Sequence, residues 1–339
     1  MIKKRILIAL AVVAVFIAAS ASAAWWWVME RAVPMRTAQV VYTVEAGAGP
    51  QAIARVMREA GIALDARQFT LLARLTEQDK LLQAGAYEAE QGDTMWRLLE
   101  RMAQGDMMQT RLTLVEGWDY KRIRQQLAAD PNVRQTLALT SEADQRLLQQ
   151  LGEDAERLSP EGLFHPETYV FVPGTTDVAI LRNAYEAQRD LLMQLWAERA
   201  PDLPLKTPYE ALILASIVEK ETGHSADRER VAGVFINRLR LGMLLQTDPT
   251  VIYGMGEAYE GRIRKKDLQT DTPWNTYTRA GLPPTPIASP GKAALLATLH
   301  PEQHDYLYFV ARGDGDGRSE FSKNLTEHNR AVRKYILNR

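Results

Sequence analysis

A run of 23 uncharged, mostly apolar residues occupies positions 6–28, near the start of the chain. A helix needs about 20 apolar residues to cross a bilayer, so this run is long enough to span one. Three basic residues precede it within residues 1–5, and basic flanks favour the cytoplasmic side of a membrane. We therefore expect a cytoplasmic tail at 1–5, a transmembrane helix at 6–28 and a linker at 29–39.

A cleaved signal peptide is the alternative for the same stretch. Small residues at 19–23 offer a place where a signal peptidase could cut. Three tryptophans at 25–27 extend the apolar run beyond any such cut and are typical of an interfacial anchor, so we favour an uncleaved span. Either alternative exports the chain after about residue 30, and the working part of the protein is expected outside the cytoplasm.

The charge balance and the missing residue types argue against several classes of function. Lys and Arg total 41 against 42 Asp and Glu, whereas a dedicated nucleic-acid binder would carry a basic surplus. The chain has no cysteine, which excludes disulfides, cysteine-ligated zinc and a thiol nucleophile. Its five histidines show no convincing metal spacing, and the signatures of nucleotide-binding, serine-hydrolase and zinc-protease sites are missing. We expect no cofactor, no metal and no nucleic-acid partner.

The exported part is long enough for two domains, and its first 70 or so residues predict a small module at 40–109. Apolar spacing there predicts, in order, a strand, two helices and a second strand, at 40–44, 51–60, 66–75 and 84–89. Gly61 is placed to end the first helix. This βααβ order resembles a LysM-like carbohydrate-binding module. A scaffold that positions a catalytic domain is the alternative.

A predicted helix at 208–222 carries two carboxylates at its end, Glu219 and Glu221. An α-helix turns about 100° per residue, which places Glu221 beside an apolar stripe and Glu219 on the opposite, solvated side. A carboxyl group held against apolar surface has a raised pKa, as a general acid near neutral pH requires. The same pattern also fits an ordinary exposed glutamate at a helix end, and this stretch alone favours that simpler interpretation.

Seven segments of the chain together resemble the YceG-like family of endolytic murein transglycosylases. They are residues 115–117, 161–169, 217–222, 234–239, 245–254, 275–277 and 281–291. The resemblance implies a single-pass inner-membrane anchor with a cytoplasmic N-terminus, a periplasmic LysM-like module and a periplasmic catalytic domain, here at 110–339. The expected fold class is therefore α+β.

The resemblance also implies which residues form the active site. The family's catalytic glutamate is the second carboxylate of the motif at 217–222, which is Glu221 in this chain and agrees with the helical-wheel argument. Negative charge near the reacting sugar carbon would come from Asp248 or Glu167. The candidate sugar contacts are the polar side chains of the segments that follow, and each of them would equally suit hydrogen bonds that hold a loop. These candidates are Gln246, Thr247, Asn275 and Tyr277.

The implied reaction cleaves the MurNAc–GlcNAc β-1,4 bond within nascent peptidoglycan strands and leaves 1,6-anhydroMurNAc ends. Such an enzyme would limit strand length as a glycan terminator, and its partners would be glycan strands, the inner membrane and peptidoglycan synthases. Two alternatives remain open. One is a hydrolysing muramidase with Asp248 as the second carboxylate, because hydrolytic glycosidases use two carboxyl groups. The other is a non-catalytic, membrane-anchored scaffold that binds glycan for cell-wall synthases.

Overall fold

The structure, a computed structural model, describes residues 2–153, 157–313 and 315–337. The first residue of the predicted tail and the last two of the predicted catalytic domain lie outside these ranges. The chain divides into two compact units. The first contains Met1–Thr110 and Val170–Gly174, and the second contains Arg111–Tyr169 and Thr175–Arg339. Helices and small antiparallel sheets make up both units, in agreement with the predicted α+β class.

The N-terminal stretch forms one helix, α1, at Ile2–Met29. Leu10, Val15 and Phe16 are among its exposed large apolar side chains. Counting only the residues that the structure describes, no helix is long and apolar enough to cross a membrane. The transmembrane helix at 6–28 therefore stays a prediction from the sequence.

The first unit continues with the predicted strand–helix–helix–strand order. Its elements are β1 (Gln39–Val44), α2 (Pro50–Ala60), α3 (Ala66–Leu75), a 3-10 turn (Gln78–Lys80), β2 (Gly85–Glu90) and α4 (Met95–Gln104). Strands β1 and β2 pair antiparallel, and Tyr42 lies opposite Tyr87 with the ring centroids 5.9 Å apart. Alternate β1 side chains point into a core shared with the helices, since successive strand residues face opposite sides. Helix α2 ends at Gly61 in the left-handed conformation, as predicted.

The rest of the chain, from Thr110 onwards, is mainly helical. The strands are β3 (Thr110–Thr113), β4 (Thr168–Phe171), β5 (Tyr308–Ala311) and β6 (Ser319–Ser322). The helices are α5 (Tyr120–Ala129), α6 (Ser141–Leu151), α7 (Asp177–Ala197), α8 (Pro208–Glu221), α9 (Ser225–Arg240), α10 (Asp248–Met255), α11 (Lys265–Gln269), α12 (Lys292–Leu299) and α13 (Leu325–Val332). A 3-10 turn at Gly256–Ala258 follows α10, and a π-helical turn at Arg333–Leu337 follows α13. Strand β5 pairs antiparallel with β6.

Helix α8 lies at the centre of the second unit. The Thr207 hydroxyl caps its first turn by accepting the backbone N–H of Glu210, and Pro208 follows at a position where proline suits a helix. Residues 211–218 are all buried, and the helix packs against α7, α9 and α12. A helix that is apolar on every side belongs inside a core. The predicted division of α8 into an apolar and a solvated side is therefore wrong along most of its length.

Candidate functional site

Glu221 is the last residue of α8, where the central helix leaves the core. Its carboxyl group is partly buried and accepts a hydrogen bond from the Thr247 hydroxyl. Burial is the largest cause that raises the pKa of Glu221 to about 7, and the nearby negative charge of Asp248 acts in the same direction. The Thr247 hydrogen bond and the positive charge of Arg238 act in the opposite direction. A carboxyl group with a pKa near 7 can give up and take back a proton at neutral pH.

Glu221 lines a cavity of about 380 Å³. Its polar lining consists of Glu221, Arg238, Gln246, Asp248, Tyr277 and His328. Apolar and aromatic side chains complete the wall, namely Phe235, Leu245, Tyr308, Phe309 and Leu325. A few convergent polar groups in such a wall are typical of a small-ligand site. Four of the predicted site residues, Glu221, Gln246, Asp248 and Tyr277, therefore meet in one place from three separate segments of the chain.

The segment that carries Gln246 and Thr247 is fastened to the one that carries Tyr277. The backbone N–H of Gln246 donates to the Thr276 carbonyl oxygen at 3.1 Å, and that of Thr247 donates to the Thr276 hydroxyl at 3.1 Å. Gln246 has a φ of +48°, a conformation that is uncommon outside glycine. The bonds to Thr276 hold this uncommon turn and direct the Thr247 hydroxyl at Glu221.

Asp248 and Tyr277 form a pair within the cavity. The Tyr277 hydroxyl donates to the Asp248 carboxylate at 2.6 Å. Burial and this bond to a carboxylate both raise the pKa of Tyr277. Tyr277 therefore stays a neutral hydroxyl, and Asp248 stands as an exposed carboxylate beside Glu221.

Asn275 is fully buried and does not line the cavity. Its side-chain amide donates to the carbonyl oxygens of Leu268 and Thr270, at 3.1 and 2.7 Å. Its side-chain oxygen accepts the Tyr277 backbone N–H at 2.8 Å. The structure thus gives Asn275 a positioning role in place of the predicted sugar contact. Thr247 likewise has a positioning role, because its side chain is 2% exposed and its hydroxyl donates a hydrogen bond to the Glu221 carboxyl group.

Glu167 is not brought to the cavity. It lies exposed just before β4, where its carbonyl oxygen accepts the Leu114 backbone N–H at 2.9 Å. The buried carboxyl group of the same loop is instead Glu161, which sequence reasoning passed over. The mixture of aromatic, glycine and acidic residues marked this loop as unusual, but nothing in that mixture distinguishes its buried carboxylate from its exposed one.

Glu219 is not the freely solvated residue that the helical wheel predicted. Its carboxylate accepts the Gly291 backbone N–H at 3.1 Å, and burial raises its pKa. It does not line the Glu221 cavity. Of the two carboxylates at the end of α8, Glu221 lines the cavity, in agreement with the helical-wheel argument. Glu219 lies outside it and is hydrogen-bonded elsewhere in the protein.

Arg238 and His328 are cavity residues that were not predicted as site residues. The Arg238 guanidinium is buried and donates to the carbonyl oxygens of Leu307 and Leu245, at 2.7 and 2.6 Å. Its position among the apolar residues of α9 was the available signal, since a buried charge needs partners. The His328 ring stacks on Tyr308 with centroids 5.2 Å apart, and burial lowers its pKa.

Across residues 2–153, 157–313 and 315–337, no three metal-ligating side chains are grouped closely enough to hold a metal ion. The cavity instead offers one titrating carboxyl group, one carboxylate and several hydrogen-bonding side chains. Such a set of groups is suited to general acid–base chemistry.

Comparison with known protein families identifies the family of this chain. The model of the YceG-like family matches residues 42–334, and the chain belongs to that family. The family predicted from the sequence motifs is therefore confirmed.

Named relatives and a solved structure extend the comparison. The endolytic murein transglycosylase of Bacillus subtilis strain 168 is 29% identical over 306 residues, which cover 86% of this chain and 84% of that protein. The endolytic murein transglycosylase of Streptococcus pneumoniae R6 is 27% identical over 322 residues, covering 86% of this chain and 57% of that protein. A crystal structure of a YceG-like protein from Listeria monocytogenes is similar with a TM-score of 0.52 and 27% identity, covering 86% of this chain and 98% of that one.

Proposed function

We propose that this chain is a lytic transglycosylase that cleaves peptidoglycan within its glycan strands. The observation that carries the proposal is the Glu221 carboxyl group, whose pKa of about 7 suits a general acid and which opens into a cavity with polar and aromatic walls. The relatives from B. subtilis and S. pneumoniae are both named endolytic murein transglycosylases, which supports the same class of substrate and reaction.

In the proposed reaction one carboxyl group serves both steps. Glu221 donates its proton to the glycosidic oxygen of the MurNAc–GlcNAc β-1,4 bond, and that bond breaks as GlcNAc leaves with a free 4-hydroxyl. The MurNAc C6 hydroxyl then attacks C1, while the Glu221 carboxylate takes up the hydroxyl proton. The products are a 1,6-anhydroMurNAc end and a GlcNAc end, no water is consumed, and Glu221 is protonated again. A pKa near neutrality favours both directions of proton transfer.

The other cavity residues would support this chemistry. The Asp248 carboxylate would stabilise the positive charge that develops at C1, since an opposite charge nearby favours such a transition state. Gln246, Tyr277 and Arg238 line the same cavity and carry groups that can bind sugar hydroxyls. The Thr247 hydroxyl would orient the Glu221 carboxyl group without touching the sugar.

A hydrolysing muramidase is the second candidate, because Asp248 lines the same cavity as Glu221. A second carboxylate in that position could activate a water or attack C1 directly. The two reactions leave different ends. Mass spectrometry of purified glycan strands after digestion separates them, since the transglycosylase leaves anhydroMurNAc ends and the hydrolase leaves reducing ends. Intact strands after prolonged incubation would instead support the glycan-binding scaffold.

The cellular setting follows from the N-terminal sequence. We propose that residues 6–28 anchor the protein in the inner membrane, with the tail at 1–5 in the cytoplasm and the catalytic part in the periplasm. The anchored enzyme would act on nascent strands, limit their length and work beside peptidoglycan synthases. N-terminal sequencing of the mature protein tests the anchor, because a start near Ala24 would show signal-peptide cleavage.

A further inference from the structure

A second cavity, of about 520 Å³, is lined in part by sequence neighbours of residues that line the Glu221 cavity. At the end of α8, Lys220 lines the second cavity and Glu221 the first. At the start of α10, Pro249 lines the second cavity and Asp248 the first. The two cavities are therefore neighbours that share both of these chain segments.

Two aromatic rings form a fixed wall of the second cavity. Tyr253 and Trp274 pack edge to face, with ring centroids 5.4 Å apart and planes at 64°. The Trp274 indole N–H donates to the Thr285 hydroxyl at 2.9 Å, and the Tyr253 hydroxyl donates to Glu161 at 3.2 Å. Both rings remain partly exposed. Rings held in this way offer a large amphipathic contact area at a low cost in conformational entropy.

The Glu161 carboxyl group supports this wall from the protein interior, and it has no role in the reaction proposed at Glu221. The side chain is 3% exposed, and both carboxyl oxygens accept the Tyr120 backbone N–H, at 3.0 and 3.1 Å. Burial raises the pKa of Glu161 to about 8. Burying a carboxyl group is costly unless hydrogen bonds compensate it, and here they come from the backbone and from the ring of the cavity wall. Glu161 thereby positions Tyr253.

The charges around the second cavity favour a neutral, hydroxyl-rich ligand. Its charged lining residues are of both signs, namely Asp119, Lys121, Glu161, Lys220 and Glu257. Lys121 is hydrogen-bonded to Glu257, and the Lys220 ammonium group donates to the Gly117 carbonyl oxygen at 3.2 Å. With Glu161 largely protonated at neutral pH, two acidic side chains stand against two ammonium groups, a balance that suits a neutral ligand. Sugar hydroxyls can both donate to carboxylates and accept from ammonium groups.

We infer that the second cavity is a glycan subsite, which holds a neighbouring sugar of the same strand whose bond is cleaved at Glu221. This inference rests on the proposed function. A sugar ring places its apolar face against Tyr253 and Trp274 and its hydroxyls towards the charged rim. Binding there directs the strand across the end of α8 and past the Glu221 carboxyl group.

The test compares long glycan strands with a MurNAc–GlcNAc disaccharide, which contains only the two sugars of the scissile bond, using Trp274→Ala. The ratio of kcat/KM on long strands to kcat/KM on the disaccharide is expected to fall roughly tenfold, as for the loss of one central aromatic contact. Trp274→Phe keeps an aromatic face and is expected to restore most of the ratio. Trp196→Ala, on α7 and outside both cavities, is the matched control and leaves the ratio unchanged. An equal loss on both substrates, or no loss, overturns the subsite.

A binding measurement separates failure of the subsite from failure of the proposed reaction. Long strands are titrated into Glu221→Gln and into Glu221→Gln with Trp274→Ala, so that no cleavage occurs. Affinity roughly tenfold weaker in the double variant supports the subsite, whatever the chemistry at Glu221 proves to be. Equal affinities of the two proteins overturn it, even if the wild-type protein cleaves glycan as proposed.

Discussion

The Thr247 hydroxyl donates a hydrogen bond to the Glu221 carboxyl group, across the gap between the end of α8 and the segment before α10. This bond favours the charged carboxylate, whereas burial and the charge of Asp248 favour the protonated form. The opposing effects leave the pKa of Glu221 at about 7. Small changes at either neighbour should therefore alter the pH range over which the protein works.

The first prediction concerns the pH dependence of cleavage. Glu221 must be protonated to act as the acid, so kcat/KM is expected to fall as the pH rises above about 7. Well above that pKa, the decline should approach tenfold per pH unit. Initial rates on purified glycan strands between pH 5 and pH 9 measure this. A profile that stays flat or rises between pH 7 and pH 9 would show that Glu221 does not titrate as described.

Thr247→Val should move the alkaline limb of that profile upwards. The substitution removes the hydrogen bond that lowers the pKa of Glu221 and keeps the volume of the side chain. A hydrogen bond to a charged group contributes roughly 1.5–3 kcal/mol, which corresponds to a shift of about one to two pH units. Thr247→Ser keeps the hydroxyl and serves as the control, with its limb close to that of the wild type. A downward shift in Thr247→Val contradicts the assignment.

Asp248→Asn should move the same limb in the opposite direction. The carboxylate of Asp248 raises the pKa of Glu221, so its removal lowers that pKa by up to about one unit. The side-chain oxygen of asparagine can still accept the hydrogen bond from the Tyr277 hydroxyl. The pH profile of kcat/KM again provides the measurement. Complete loss of cleavage at every pH would instead assign Asp248 the role of a second catalytic carboxyl group, as in a hydrolase.

Asn275→Ala should destabilise the fold. The variant leaves the Leu268 and Thr270 carbonyl groups of the preceding turn and the Tyr277 backbone N–H without the buried Asn275 side chain as their partner. We expect the free energy of unfolding to fall by about 2–3 kcal/mol, measured by urea denaturation. Asn183→Ala, at an exposed position on α7, is the matched control and should change it by less than about 0.5 kcal/mol. Equal stabilities of the two variants would refute the positioning role of Asn275.

Local patterns predicted much of this fold. β-branched and aromatic residues identified β1, and helical spacing with a following glycine identified α2 and its end at Gly61. Helical geometry also placed Glu221 beside apolar surface. These features depend on residues close together in the sequence, where backbone geometry alone decides which side chains share a face.

Features that depend on distant segments could not be predicted in the same way. The wheel treated Glu219 as solvated because it cannot show that Gly291 lies within hydrogen-bond reach. Thr247 looked like a sugar contact because its partner, Glu221, is 26 residues away in the sequence. The buried Glu161 and the exposed Glu167 are equally polar in the sequence, and only the packing around Tyr120 distinguishes them.

The most direct test of the account compares the products of wild-type protein, Glu221→Gln and Glu219→Gln on the same purified glycan strands. Glutamine at 219 can still accept the Gly291 N–H, so Glu219→Gln is a matched control that should cleave like the wild type. Mass spectrometry should find anhydroMurNAc ends in the digests made by the wild-type protein and by Glu219→Gln. Glu221→Gln should release them at least about a hundredfold more slowly, the contribution typical of a general acid. Cleavage by Glu221→Gln at the wild-type rate would contradict the central claim.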